Sequence, residues 1–164
     1  MKLVLIVHDV RSALNVGSLL RTADGLGVDK VYFTGYSPYP EVKADTRLPH
    51  VRLRASNQIR KTALGAEDSV NWTHQQDIFK AIDGLRKSGF TIAALEQSAN
   101  STELPKFISK KPLALIVGNE VDGLGPEILN LIDIALEIPM LGAKESYNVA
   151  SAGAMALYHL RFIA

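Results

Sequence analysis

Three clusters of polar residues in this chain have the types and spacing to do chemistry. In Asn15-Val-Gly-Ser-Leu-Leu-Arg21-Thr-Ala-Asp24, Asn15, Ser18 and Thr22 recur at helical spacing, with Arg21 beside Ser18 and Thr22. A polar stripe close behind a strand can bind a ligand at a sheet edge, or can be a capped helix with a surface arginine. In Val117-Gly118-Asn-Glu120-Val-Asp-Gly123-Leu-Gly125-Pro126 an apolar run enters a glycine-rich turn. Glycines there let a ligand approach the backbone, and Glu120 either binds that ligand or ties down the loop. The third cluster, Pro139 to Asn148, puts Ser146 and Asn148 at a helix entrance, where free backbone N–H groups also point. Read alone, Ser146 is a helix N-cap.

These clusters must be held by the elements around them. Strand-like runs (Lys2–Val7, Lys30–Thr34, a short Val70–His74, Thr91–Leu95, Leu113–Val117 and Ile134–Ile138) alternate with helical ones. Asn15–Leu26 repeats apolar residues at helical period, and Gln76–Lys87 puts Ile78, Phe79, Ile82 and Leu85 on one face. Pro126 starts a short helix reaching about Leu131, and Asn148–Ile163 forms the last helix. Its small residues, Ala150, Ala152, Gly153, Ala154 and Ala156, let another backbone come close. The stretch from Tyr36 to about Ser56, with Pro38, Pro40 and Pro49, reads as a long irregular loop. Gln97–Pro112 reads as polar surface. The alternation predicts a single α/β domain over 1–164, with a mostly parallel sheet and helices on both faces.

Composition narrows the field. Apolar residues make up 47% of the chain and no cysteine is present, which describes a compact protein without disulfides or thiolate metal sites. His8, His50, His74 and His159 show no metal-ligand spacing. No apolar stretch reaches membrane-spanning length, so a cytoplasmic location is expected. The net charge of +1 hides an asymmetry: Lys43, Arg47, Arg52, Arg54, Arg60 and Lys61 face Asp45 alone in their segment. That segment suits a phosphate-rich partner, or is a solvated mobile loop. Neither G-x-G-x-x-G nor a phosphate-loop Gly-Lys-Ser/Thr is present, which argues against a nucleotide-dependent oxidoreductase.

Together the three clusters carry a resemblance. Asn15 through Arg21 matches N-x-G-x-x-x-R, Gly118-Asn-Glu120 with Gly123-Leu-Gly125 matches a second motif, and Pro139-Met140-Gly142-Ser146-Asn148 a third. In this order and spacing the chain resembles the SpoU class (TrmH-like) of the SPOUT superfamily, RNA ribose 2′-O-methyltransferases that use S-adenosylmethionine. The resemblance covers essentially the whole chain, without the RNA-binding extension of some relatives. Two positions depart from it: Tyr147 stands where many relatives have leucine, and Ala150 where they have serine.

The resemblance implies a C-terminal trefoil knot and a homodimer whose active sites draw on both protomers. It implies catalytic roles for Arg21, Asn15, Glu120, Ser146 and Asn148, with Asn15 and Glu120 holding Arg21 in place. S-adenosylmethionine, leaving as S-adenosylhomocysteine, would lie against Leu95, Gly118, Ile138, Met140 and Tyr147, with no metal. Arg47, Arg52, Arg54, Arg60 and Lys61 would grip tRNA or, alternatively, rRNA. Trp72 is expected in the core, and Tyr36 and Tyr39 are base-stacking or turn-packing candidates. His8 and Asp9 either touch substrate or end the first strand. A non-catalytic module that binds RNA and cofactor is the rival reading.

Overall fold

Apolar residues alternate across the strands so that both faces of one sheet are covered. The computed structural model describes residues 1–164. The chain runs β1 (Leu3–His8), α1 (Ala13–Gly25), β2 (Lys30–Thr34), α2 (Pro49–Ala63), α3 (Ala66–Ser69), β3 (Trp72–His74), α4 (Ile78–Lys87) and β4 (Thr91–Leu95). It continues through β5 (Thr102–Glu103), β6 (Leu113–Val117), α5 (Pro126–Leu129), β7 (Ile134–Glu137) and α6 (Val149–Phe162). All seven strands pair in parallel, in the order β3-β2-β1-β6-β4-β7-β5.

On β1, Leu3, Leu5 and Val7 join one core with Leu19 and Leu20 of α1, Ile59 of α2 and Leu157 of α6. Val4 and Ile6 join the other with Ile78, Ile82 and Leu85 of α4 and Ile128 of α5. Helices on both faces and a parallel sheet are therefore as expected. Each fully buried Leu or Ile contributes about 1.5–3 kcal/mol, so the apolar period fixes which face each element turns inward. Asp77 starts α4 by accepting from the Phe79 and Lys80 amides. Trp72 lies half-buried against the first core, edge-on to Phe33, and donates its indole N–H to the Glu67 carbonyl.

The segment read as irregular differs. Pro49 begins α2, and the helix runs to Ala63. Its buried residues are only Ser56, Ile59 and Ala63, while Leu48, Val51 and Leu53 are exposed, so no apolar period marks it. Packing against α1 supplies what the pattern lacks. A Cβ on Gly17 would collide with the Ile59 carbonyl oxygen and the Thr62 hydroxyl, and Thr62 donates that hydroxyl to the Leu14 carbonyl at 2.8 Å. The glycine of the first motif thus serves helix packing. Within Gln97–Pro112, the short β5 pairs with β7.

Helix α6 returns to the middle of the molecule. A Cβ on Gly153 would stand 2.6 Å from Leu19 Cδ2, so the small residues do permit close approach. At its far end Arg161 donates to the carbonyls of Leu26, Met1 and Gly27, clamping α6 to the end of α1.

Candidate active site

The carboxyl ends of β1, β6, β4 and β7 lie side by side, and the three polar clusters leave from that edge or dock onto it. Asn148 caps α6 by accepting from the Ala150 and Ser151 amides. The cap expected of Ser146 therefore belongs to Asn148. The other end of the Asn148 amide donates to Asn15 Oδ1 at 3.1 Å. Asn15 Nδ2 donates in turn to Glu120 Oε1 at 2.9 Å. Glu120 also accepts from the Arg11 amide at 2.9 Å and the Ser12 amide at 3.2 Å. One hydrogen-bonded relay thus joins all three motifs, and both amide orientations are dictated by it.

Burial alone would raise the pKa of Glu120. The hydrogen bonds from Arg11, Asn15 and Ser12 outweigh it and hold the carboxyl below the ordinary glutamate range. Its neighbour Asn119 is buried and braces the same turn, accepting from the Val121 and Asp122 amides at 2.8 and 2.9 Å. Across the turn, Glu96 accepts from the Leu124 amide at 3.1 Å.

Beside the relay lies a cleft of about 190 Å³. Leu95, Gly118, Ile138, Tyr147 and Ser146 line it, as do Glu120, Glu96, Gln97 and Val149. Met140 does not line it. Glu96 and Gln97 escaped the sequence reading, although they directly follow a strand whose carboxyl end was marked by Leu95. Gln97 donates to the Glu145 carbonyl at 3.1 Å, linking the β4 end to the exposed loop before α6. Apolar walls with main-chain polar groups can flank a flat heterocycle. Glu96, Glu120 and Glu137 give the cleft three carboxylates, and no Lys or Arg lines it. That charge favours a cationic ligand and offers nothing to a pyrophosphate. It fits a sulfonium cofactor better than a dinucleotide. No group of three or more His, Asp or Glu could hold a metal ion, and no helix is long and apolar enough to cross a membrane.

Arg21 is not part of this cluster within one chain. It is exposed on α1, and neither Asn15 nor Glu120 bonds to it, contrary to the expectation that they hold it. Of the basic segment, Arg47 is spent internally: it pairs with Asp45 at 2.5 Å, donates to the Tyr39 and Pro40 carbonyls, and lies over the Tyr39 ring. The guanidinium holds the Asp45 carboxyl well below the usual range. Arg52 pairs with Glu41 at 3.0 Å and Arg60 with Glu67 at 3.4 Å. Arg54 and Lys61 are exposed on α2, with no ion pair inside the chain.

An open parallel sheet with a ligand cleft at its carboxyl edge, closed by the loop of a returning helix, defines the class of doubly wound α/β proteins that bind nucleotide-like ligands. This chain belongs to the SpoU rRNA methylase family, whose model matches residues 2–158. A protein of Staphylococcus haemolyticus assigned to the TrmH family of tRNA/rRNA methyltransferases is 29% identical over 158 residues, 96% of this chain and 57% of that protein. The chain thus spans little more than half the length of the curated relatives it matches. Among solved structures, the A. aeolicus TrmH/SpoU tRNA modifying enzyme superposes with TM-score 0.77 at 26% identity, over 96% of this chain and 72% of that one. The AdoMet-bound rRNA methyltransferase from Sinorhizobium meliloti gives TM-score 0.77 at 23% identity, over 96% and 54%.

Proposed function

We propose that the chain is a single methyltransferase domain that transfers a methyl group from S-adenosylmethionine to a ribose 2′-hydroxyl in structured RNA, with tRNA the favoured substrate. The observation that carries this reading is the Asn148–Asn15–Glu120 relay at the rim of a carboxylate-lined cleft. The family match and the tRNA modifying enzyme among the solved relatives support the substrate class.

When bound, S-adenosylmethionine supplies a methyl already activated by its sulfonium. Leu95, Ile138 and Tyr147 would flank its adenine, with the Gly118 backbone beside it. The protein's task is to place the 2′-hydroxyl in line and let its proton leave. Ser146 and Asn148, at the start of α6, would orient the ribose. A guanidinium is a poor general base, which leaves Arg21 another role. Arg21 would grip the phosphate beside the target and polarise the hydroxyl, while that phosphate or a water takes the proton. The absence of a cation in the cleft and the unpaired, exposed Arg21 support a composite site in a homodimer, with Arg21 entering the partner's cleft. Exposed Met155, Tyr158 and Phe162 on one face of α6 support that helix as the contact. The close docking of α6 on α1 is compatible with a trefoil knot. Arg54 and Lys61, with Arg52 and Arg60 at the margin, would meet RNA phosphates. An RNA substrate accords with a cytoplasmic location.

The test is methyl transfer from labelled S-adenosylmethionine to unmodified total RNA, digested to nucleosides, for wild type and Arg21→Ala. A 2′-O-methyl nucleoside made only by wild type is expected. Label on a base would overturn the ribose assignment, and cofactor binding without any transfer would favour the binding module.

A further inference from the structure

One aromatic ring beside the cleft is held more firmly than its exposure requires. Tyr36 follows β2 and is 59% exposed. Its hydroxyl accepts from Asn119 Nδ2 at 2.6 Å, and its backbone N–H donates to Asp9 Oδ1 at 2.9 Å. Asn119 also donates to the Asp9 carbonyl at 3.1 Å and is itself a wall of the cleft. The ring is therefore fixed at both ends, one residue from Glu120.

The backbone beneath it is strained. Asp9 has φ 53°, a left-handed conformation that costs a non-glycine residue about 1–3 kcal/mol. Its carboxylate is steered by His8 Nε2 at 3.2 Å, and the other nitrogen of His8 meets the Thr34 hydroxyl at 2.9 Å. Gly35 has φ 61°, and any Cβ there would collide with Asp9 Oδ1. Ser37, next along, is buried and donates to the Val7 carbonyl at 2.9 Å. His8, Asp9, Gly35, Ser37 and Asn119 all fix the segment that carries this ring. No other aromatic ring and no cation of the chain lies on it. Tyr39 is the contrast: His74 stacks on it at 4.0 Å and Arg47 lies over it at 3.6 Å, so its faces are filled.

We infer that Tyr36 is a stacking platform for an unpaired nucleobase adjoining the ribose in the cleft. A rigid ring loses little entropy on contact, and every base presents a π-face to it. Tyr36 would thus select for a target nucleotide in a loop or at a single-stranded end. This inference rests on the RNA reading above.

The experiment measures binding of a short fluorescent single-stranded RNA, and separately of S-adenosylhomocysteine, to wild type, Tyr36→Phe, Tyr36→Trp and Tyr36→Leu. Loss of one base stack is expected to weaken RNA binding of Tyr36→Leu by about 5- to 150-fold, with S-adenosylhomocysteine binding unchanged. Tyr36→Phe and Tyr36→Trp should retain RNA affinity, and the ratio of wild type to Tyr36→Leu should hold across salt concentrations, because a stack releases no counterions. Equal RNA affinity in Tyr36→Leu and wild type overturns the platform while leaving the RNA reading intact. A loss in Tyr36→Phe as large as in Tyr36→Leu also overturns it, making Tyr36 a latch to Asn119. Wild type that binds unmodified tRNA but not the short RNA overturns the platform alone, and wild type that binds S-adenosylhomocysteine but neither RNA overturns both readings.

Discussion

Asn148 donates its side-chain amide to Asn15 across 133 residues of chain, and the same amide group's oxygen caps the helix that follows. Capping and site assembly therefore share one side chain. They can be separated by substitution. Asn148→Asp keeps an N-cap of about equal quality but turns an acceptor toward the Asn15 oxygen. It should fold with a near-normal Tm and lose about tenfold or more in kcat/KM. Asn148→Ala should lose about 1 kcal/mol of stability as well. Thermal melts beside methyl-transfer kinetics check both, and an active Asn148→Asp would show the relay to be dispensable.

Glu120 gives the relay a pH dependence. Its folded-state pKa lies below the ordinary value, so its contribution is present above the ordinary glutamate range and is lost as pH falls through the folded pKa. S-adenosylhomocysteine affinity should be flat near neutrality and fall in acid. Glu120→Gln should remove that acid limb. Titration calorimetry across pH reads both.

Arg21 and Glu120 should complement between protomers. Arg21→Ala and Glu120→Gln are each expected to be inactive alone. Mixed and reassembled, half the dimers pair the two variants and each of these holds one intact site, so about a quarter of wild-type activity should return. No recovery would place Arg21 in its own chain's site.

Tyr158 and Phe162 pack against each other on the exposed face of α6. Replacing both with Glu should leave the fold within about 0.5 kcal/mol of wild type, since neither side chain is buried in the chain. Sedimentation should show a dimer for wild type and a monomer for the variant, with methyl transfer lost. A monomeric wild type would end the composite-site proposal.

Gly17 lies in the first motif, yet its neighbours are Ile59 and Thr62 of α2. Gly17→Ala should cost about 1–3 kcal/mol by overpacking. Its defect should appear as a lowered Tm, with S-adenosylhomocysteine affinity kept at low temperature. A loss of affinity in a fully folded Gly17→Ala would assign the glycine to the ligand instead.

The motifs and sheet were legible because their signals are local: apolar strands, glycine turns and polar residues at helical spacing. Helix α2 was not, because it buries Ser56, Ile59 and Ala63 and exposes Leu48, Val51 and Leu53, which leaves no period to read. Arg47 looked like a phosphate contact by its charge, but its role is set by Asp45 and Tyr39, through geometry that no spacing rule encodes. Glu120 was singled out, but two of its partners are the main-chain amides of Arg11 and Ser12, which carry no side-chain signature. Arg21 was expected to be held by it, and the folded chain shows no hydrogen bond or ion pair between the two.

The relay also dates the site within the life of the molecule. Ribosomes deliver Asn15 early, Glu120 late and Asn148 later still, so a nascent chain holds strands and helices long before it holds a cleft. A polypeptide broken off ahead of Asn148 would retain most of its core yet lack the cap, the bond to Asn15 and helix α6. Assembly of the cleft is therefore withheld until translation has passed the third motif.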